Sequence, residues 1–340
     1  MRGFTIASWS ASSDRRGVVT TRPAILKFLV KRALLSLITL GILSIVVFVG
    51  GQLLPGDVGR AVLGPLADAR AVAVFNHQVG VDRPLPVQYW DWITHFLAGD
   101  MGRSFTFRAP VAPFIADALA NSLKLAALAF ALVVPLGIAG GVWAARRVGR
   151  WSDRGMVLLG QSLGIVPEFI SAIVLILIFG VRLRWLPMSA DWPEGAGPLT
   201  QVRYLILPSL PLVLVFFGYI ARVARVGTIE ALDADYTRTA ILKGLPMGAV
   251  MRRHVLPNAL LPTITVVASL VGYLAGGLVV IETLFHYRGI GALIYSAARA
   301  KDFPMLEAGV LTVGAVYALA SVLADLLSAA LNPRLRAGRT

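Results

Sequence analysis

Long, nearly uncharged runs of apolar residues dominate the hydrophobic pattern of this chain. They cover residues 33–54, 125–145, 156–181, 204–221, 255–281 and 308–324. A membrane-spanning helix needs about 20 predominantly apolar residues, so the pattern predicts six transmembrane helices. Only Glu168 interrupts the third run, whereas Pro208 and Pro211 make the fourth run the weakest of the six.

Composition supports the membrane assignment. The chain is 57% hydrophobic with a mean hydropathy of +0.74, whereas soluble domains are about 45–50% apolar. The helices of a soluble bundle carry charged faces, and these runs have none. We therefore expect an all-α membrane protein.

Basic residues are distributed unevenly among the segments that separate the predicted helices. Six spans place both termini on the same side of the membrane. The segments on that side contain twenty Lys and Arg residues, and the segments on the other side contain eleven. Cytoplasmic loops are enriched in Lys and Arg, so both termini are predicted to be cytoplasmic. The predicted parts are a cytoplasmic segment 1–32, a first transmembrane helix 33–54, a periplasmic or extracellular segment 55–117, a five-helix core 118–331 with a cytoplasmic loop 222–257, and a cytoplasmic tail 332–340.

The net charge of +14 has two interpretations. In a soluble protein it would suggest nucleic-acid binding, but no basic segment stands clear of an apolar run. Basic cytoplasmic loops explain the charge more simply, so we expect a lipid bilayer and no nucleic acid as partner. The absence of Cys excludes disulfides and thiolate metal sites.

Motifs for catalysis are missing or poorly placed. No G-x-x-x-x-G-K-[ST] occurs, so the chain is not expected to hold ATP itself. The GQSLG segment, 160–164, matches a serine nucleophile elbow, but it lies within a predicted membrane helix where small residues serve packing. The four His residues have no metal-ligand spacing. We predict no catalytic residue, no metal site and no cofactor in this chain.

Carboxylates inside apolar runs are candidates for a translocation path. Burying a charge in lipid costs about 2.5–3.5 kcal/mol, so such residues usually face a cavity or a partner. Glu168 lies mid-span after Pro167. Glu282 lies directly after the fifth run, where an interface or loop position explains it at least as well. Gly272 and Gly276 are further candidates for the translocation path because of their position in the fifth run. Ordinary helix packing explains a G-x-x-x-G pair equally well.

A polar, basic stretch at 235–262, inside the predicted cytoplasmic loop, separates two apolar runs. It reads as a first short helix over 236–243, ended by Gly244 in a left-handed cap, and a second helix that begins near Pro246. Met247, Val250, Met251 and Val255 give that second helix one apolar face. The residues alone leave open whether this face packs on the chain's own helices or docks on another protein.

The segment TAILKGLPMGAVMRRHVLP resembles the cytoplasmic EAA loop of ABC importer permeases. Gly244 and Ala240 match the family's Gly and second Ala, and Leu256 and Pro257 match its closing Leu-Pro. The sequence departs from the pattern at Arg238, Thr239 and His254. Further similarity to the dipeptide, oligopeptide and nickel subfamily covers nearly the whole chain, in the segments LLPGD, DRPLPVQY, GDMGRSF, VVIETLF and LADLLSAALNPRLR.

The resemblance implies a type I ABC importer permease fold in a bacterial inner membrane. The implied partners are a second homologous permease subunit, two ATP-binding subunits that hold ATP and Mg, and an extracytoplasmic solute-binding protein. The implied cargo is di- or oligopeptides, with nickel chelates, glutathione or another small solute as the alternative. A secondary transporter or channel is the alternative of a different class, but the sequence lacks paired broken helices.

The resemblance also assigns roles to residues. The ATPase-coupling loop would comprise Tyr236, Arg238, Thr239, Ala240, Lys243, Gly244, Leu245, Leu256 and Pro257. The stretch 82–105 reads as a short amphipathic helix closed by Gly99. The length and aromatic residues of the whole outer segment 55–117 suit a docking surface for the binding protein at Arg83, Pro84, Trp90, Asp100 and Arg103. A structural cap on the helices is nearly as good an explanation.

Overall fold

The computed structural model describes residues 22–53, 58–64, 66–276 and 278–331, and these residues form an all-helical structure without a β-sheet. Residues 1–21 of the predicted N-terminal segment 1–32, the predicted tail 332–340 and most of the LLPGD segment lie outside the described residues. The helices are α1 Arg22–Leu53, α2 Val58–Leu63, α3 Ala69–Val79, α4 Leu85–Leu97, α5 Val111–Ala145, α6 Trp151–Ile165, α7 Glu168–Leu175, α8 Pro198–Asp233, α9 Asp235–Leu242, α10 Met247–Val250, α11 Leu256–Gly276, α12 Val279–Leu284, α13 Ile290–Ala300 and α14 Phe303–Leu331. π-Helical turns continue α7 over Ile176–Arg182 and join α10 to α11 over Met251–Val255.

Five of the described helices are long and apolar enough to cross a membrane, and the count is six if α6 and α7 together form one bent span. The five lie at Val30–Leu53, Val111–Ala145, Pro198–Asp233, Met247–Val271 and Phe303–Leu327. This architecture is the all-α membrane fold that the apolar runs predict.

The third apolar run is not one continuous helix, contrary to the prediction. α6 ends at Ile165, α7 begins at Glu168, and the two helices are bent by 102°. Val166 between them is extended, with φ −69° and ψ 124°. The ring of Pro167 clashes with a helical conformation at the preceding residue, which explains the break.

The fourth run, which had the weakest pattern, forms the longest and most buried of the spanning helices. α8 has 36 residues, and both Pro208 and Pro211 are buried inside it. Neighbouring helices compensate for prolines in membrane helices by packing around them. Gly137 of α5 lies against Ile220 of α8, and Gly141 lies against Ala224. Because the residue numbers rise together along both helices, α8 runs parallel to α5. These glycines let the two backbones approach closely.

Other boundaries also differ from the predicted runs. α5 begins at Val111, so the predicted domain boundary at 117/118 falls inside a helix. The fifth run covers α11 and the start of α12 instead of a single helix. A helix can extend beyond the bilayer, so an apolar run indicates which part of a helix lies in the membrane and does not indicate where the helix ends.

Three clusters of buried apolar residues follow one another along the bundle. The first joins α5 with α13 and α14, and the second, central cluster joins α5 with α7, α8 and α12. The third packs the α9–α10 region against the end of α8 and the start of α11. Residues 58–110, which we call the α2–α4 segment, pack against the first cluster through Phe96 and Met101. This segment therefore lies at one end of the bundle, beside the start of α5, and α9–α10 lies at the opposite end.

Candidate functional site

The polar loop at 235–255 has the predicted form of two short helices joined by a turn. α9 ends at Leu242, and Gly244 adopts a left-handed conformation with φ +78°. Its N–H donates to the carbonyl of Ile241 at 2.9 Å, and a side chain would be strained there. Pro246 lies immediately before α10. A backbone N–H at the start of a helix has no partner within the helix, so the N–H that proline lacks is not missed there.

The inner face of this loop packs on the chain itself. Val250, Met251 and Val255 are buried in the same cluster as Ala240, together with residues of α8 and α11. Thr237 is fully buried, and its hydroxyl donates to the carbonyl of Ala231 at 2.7 Å. Most of the apolar stripe therefore anchors the loop to its own helices, and only Met247 remains exposed.

The outer face of the loop combines apolar and basic side chains. Leu242 is 87% exposed, and Tyr236, Ile241 and Met247 are also exposed. Arg238 on α9 and Lys243 directly after it are also exposed, and neither makes an ion pair with another described residue. Exposed apolar side chains rimmed by charge are typical of a protein-binding surface.

The predicted coupling residues divide between these two faces. Tyr236, Arg238, Thr239, Lys243, Gly244 and Pro257 are exposed, whereas Ala240 is buried and Leu245 and Leu256 are half-buried. Ile241 and Leu242 were missed by the sequence reasoning, although an apolar pair at the end of an otherwise polar helix was a usable signal. We call the exposed residues Tyr236, Arg238, Ile241, Leu242, Lys243 and Met247 the loop surface.

The predicted docking residues of the α2–α4 segment all lie on the exposed surface: Arg83, Pro84, Trp90, Asp100 and Arg103. Arg83 is ion-paired with Asp91 at 3.1 Å, and Asp100 accepts a hydrogen bond from the N–H of Gly102 at 2.8 Å. A hydrogen bond from His77 lowers the pKa of the neighbouring Asp82 carboxyl. The helix predicted here is present as α4, and Gly99 follows it at φ +91°.

One face of α4 holds the segment against the bundle. Tyr89 and Trp92 form aromatic contacts with Phe48 of α1 at centroid distances of 5.5 and 5.9 Å. The Tyr89 hydroxyl also hydrogen-bonds to Ser44 at 2.8 Å. This face gives the segment a structural role on α1, whereas Trp90 on the same helix is 66% exposed.

The two carboxylates predicted for the translocation path have different surroundings. Glu168 is half-buried at the start of α7, beside the proline break, and no hydrogen bond or ion pair joins it to another described residue. Glu282 is fully buried in α12. Its carboxylate accepts hydrogen bonds from the hydroxyl of Ser122 and from the N–H of Ala292 at 3.0 Å.

Glu282 therefore has a definite structural contact, the start of α13. The amino end of a helix has unpaired N–H groups and favours negative charge, which matches a carboxylate in this place. Gly272 and Gly276 lie in the last turns of α11. The structure does not join Glu168, Glu282 and the two glycines into one site, and their place on a translocation path stays a prediction.

Two protein-family models and several curated proteins match this chain. The model of the family described as "Binding-protein-dependent transport system inner membrane component" matches residues 137–337, and the model of its N-terminal part matches residues 25–126. Among similar curated proteins, the glutathione transport system permease protein GsiC of Salmonella typhimurium (strain LT2) is 37% identical over 314 residues, 92% of this chain and 99% of the relative. The protein of the same name from Escherichia coli (strain K12) is 35% identical over 313 residues, with the same coverage.

Proposed function

Because this chain belongs to the family of binding-protein-dependent transport system inner membrane components, we propose that it forms one half of the translocation path in an ATP-driven importer of short peptides. The proposed complex contains a second, homologous permease subunit and two ATP-binding subunits, which hold ATP and Mg. A solute-binding protein delivers the cargo to the α2–α4 end. The chain itself is the non-catalytic transport subunit.

The loop surface carries this proposal. Its exposed leucine and neighbouring basic side chains suit a cleft with apolar walls and acidic edges on an ATP-binding subunit. The buried inner face, with Thr237 and Val250, gives the surface a fixed base. A helix that docks in a groove needs such a base if force is to pass through it.

The connections of the loop explain how force would reach the membrane helices. Only Ala234 separates α8 from α9, and the π-helical turn joins α10 to α11 without a gap. When ATP binding closes the two ATP-binding subunits, displacement of the loop surface moves α8 and α11 together. Both are candidate membrane spans, and they pack against each other, so their movement changes the shape of the bundle.

Glutathione is the first cargo to test, since it is a tripeptide and the relatives named above are glutathione permeases. Linear di- and oligopeptides are the second candidate, favoured by the motif resemblance described above. Both cargoes place the chain in peptide uptake, and they differ in peptide length and linkage.

The experiment measures uptake of labelled glutathione and of labelled di- and tetrapeptides in a strain that lacks this chain. The strain is complemented with the wild type, with Leu242→Asp or with Leu199→Asp. Leu199 is 85% exposed at the start of α8, has no role in the proposal and serves as the matched control. We expect Leu242→Asp to reduce uptake at least tenfold and to reduce co-purification of the ATP-binding subunits, because a charge replaces the apolar anchor.

The results separate the two parts of the proposal. Normal uptake by Leu242→Asp at normal expression would contradict the coupling role of the loop surface. Restored uptake of one labelled compound by the wild type identifies the cargo. If the wild type restores uptake of none of them, the peptide assignment is wrong, and co-purification still tests the coupling role.

A further inference from the structure

A cavity of about 350 Å³ lies where the α2–α4 segment meets the end of α1 and the first turns of α14. Its walls include the aromatic side chains of Phe48, Trp92 and Phe303 and the charged side chains of Arg83, Asp100 and Glu307. None of these residues belongs to the loop surface, although Arg83 and Asp100 are also among the residues predicted to dock the binding protein.

Glu307 is the unusual group in this cavity. It is only 6% exposed, yet no hydrogen bond or ion pair joins its carboxyl to another described residue. Gly51 of α1 lies beside this carboxyl group, since an added Cβ there would lie 3.2 Å from Oε1. An unpaired buried carboxylate costs several kcal/mol, so such a group usually has a ligand or a partner.

The other charged groups that face the cavity leave it acidic. Arg83 is already paired with Asp91, and the ring of His95 hydrogen-bonds to the carbonyl of Asp91 at 2.6 Å. Asp100 accepts one backbone N–H through Oδ1. The carboxylates of Asp100 and Glu307 therefore have capacity for a further hydrogen-bond donor.

The aromatic walls add a second feature of cation sites. Phe48 and Trp92 are stacked with an interplanar angle of 27°, and Phe105 and Phe303 also line the cavity. Aromatic faces attract organic cations, by about 0.5–2 kcal/mol per contact. The described residues contain no group of three or more His, Cys, Asp or Glu side chains placed to hold a metal ion. The chemistry therefore suits an organic ammonium.

We propose that this cavity binds a primary ammonium group, with Glu307 as its main acceptor and Asp100 as a second. The last turns of α1 and the first turns of α14 border the cavity. Both helices are candidate membrane spans, so these helix ends place the cavity at the depth of the lipid headgroups. Trp90 of α4, which precedes the lining residue Asp91 in the chain, is exposed, and Trp is enriched at that depth. The ammonium is thus carried by a phosphatidylethanolamine headgroup or by a small soluble amine.

The test uses the purified full-length chain in two arms. In the first arm, ethanolamine is titrated while the thermal midpoint of the protein is measured. In the second arm, native mass spectrometry compares retention of phosphatidylethanolamine with that of phosphatidylcholine, whose methylated ammonium cannot donate a hydrogen bond. Each arm compares the wild type with Glu307→Gln and with Glu194→Gln, an exposed Glu that serves as matched control.

We expect Glu307→Gln to raise the half-saturating ethanolamine concentration at least tenfold and Glu194→Gln to leave it unchanged. Selective retention of phosphatidylethanolamine that Glu307→Gln abolishes identifies the lipid as the source. An ethanolamine response that depends on Glu307, without selective lipid retention, identifies a soluble amine.

The proposal is wrong if the wild type responds in neither arm, or if Glu307→Gln responds as the wild type does. If Glu307→Gln cannot be purified folded, Asp100→Asn provides the same readout, because an amide oxygen retains the contact with Gly102 while the charge is lost. Binding is measured without transport, so failure here leaves the importer proposal untouched, and failure of that proposal leaves this one untouched.

Discussion

At the scale of single residues, the buried Glu282 shows how one carboxylate orders a turn. It accepts hydrogen bonds from Ser122 and Ala292, and the Ser122 hydroxyl in turn accepts one from the N–H of Ile290 at 2.8 Å. The turn between α12 and α13 is thereby fixed to α5. The backbone must also come very close to the carboxyl group, and Gly289 makes that approach possible.

Gly289→Ala should therefore destabilise the protein. A Cβ at this position would lie 2.2 Å from Cδ of Glu282, and overpacking of this kind costs about 1–3 kcal/mol. We expect a lower thermal midpoint and a lower yield of the purified protein. Gly197→Ala is the matched control, because a Cβ there meets no atom within 4 Å. Equal midpoints for the two variants would show that the turn around Glu282 adapts freely.

At the scale of elements, close backbone contacts decide how the helices pack. α6 crosses α8 at Gly160 and Gly218, the first of which belongs to the GQSLG segment. The contact supports a packing role for that segment. Arg225 of α8 also donates two hydrogen bonds to Asp153 near the start of α6, at 2.5 and 2.8 Å. The half of the bent pair that lies before Pro167 is thus joined to α8 at two levels.

We predict that Gly218→Ala weakens this helix pair. A Cβ on Gly218 would lie 1.9 Å from the carbonyl oxygen of Gly160, a backbone atom that cannot move alone. Thermal unfolding of the purified chain should begin at lower temperature and expose α6 to proteolysis. Gly155→Ala on α6 is the control, since a Cβ there meets no atom within 4 Å and alanine favours helices by up to about 1 kcal/mol over glycine. A Gly218→Ala protein as resistant as the control would refute the close contact.

At the scale of the whole molecule, the bent pair decides the topology. The described chain has five candidate spans, or six if α6 and α7 together cross the membrane. Six crossings put both termini on the same side, whereas a re-entrant pair leaves five and puts them on opposite sides. The excess of Lys and Arg in one set of loops favours six crossings with cytoplasmic termini.

Reporter fusions at each terminus test this topology. A fluorescent protein that folds only in the cytoplasm should fluoresce at both ends, and alkaline phosphatase, active only outside, should be inactive at both. A phosphatase fusion after Ala196, which precedes α8, should also be active, because six crossings place this position outside. A fusion after Gly99, which follows α4 and lies outside in both topologies, serves as the positive control. Opposite results at the two termini would show that α6 and α7 form a re-entrant loop.

Much of the fold follows from the sequence because lipid is a simple solvent. Apolar runs such as 33–54 must cross it or be buried, and the structure has a long helix there. The two-helix form of the polar loop could be predicted because Gly244 and Pro246 restrict the backbone locally. The bend at Pro167 was readable in principle from the same restriction, but the apolar run on both sides obscured it.

Which side chains face inward was decided only by tertiary structure. In the loop, Thr237 and Ala240 lie on a buried face and Leu242 lies on an exposed face. The sequence of so short a helix does not indicate which neighbouring helix it packs against. Glu282 and Glu307 lie at the ends of apolar runs, yet Glu282 accepts hydrogen bonds at both carboxylate oxygens and Glu307 has no partner among the described residues. The sequence by itself determined the membrane class, the loop and its turn, since these depend on local preference and on transfer from water to lipid. Partners of buried charges depend on contacts between residues far apart in the chain, and only the folded bundle decides them.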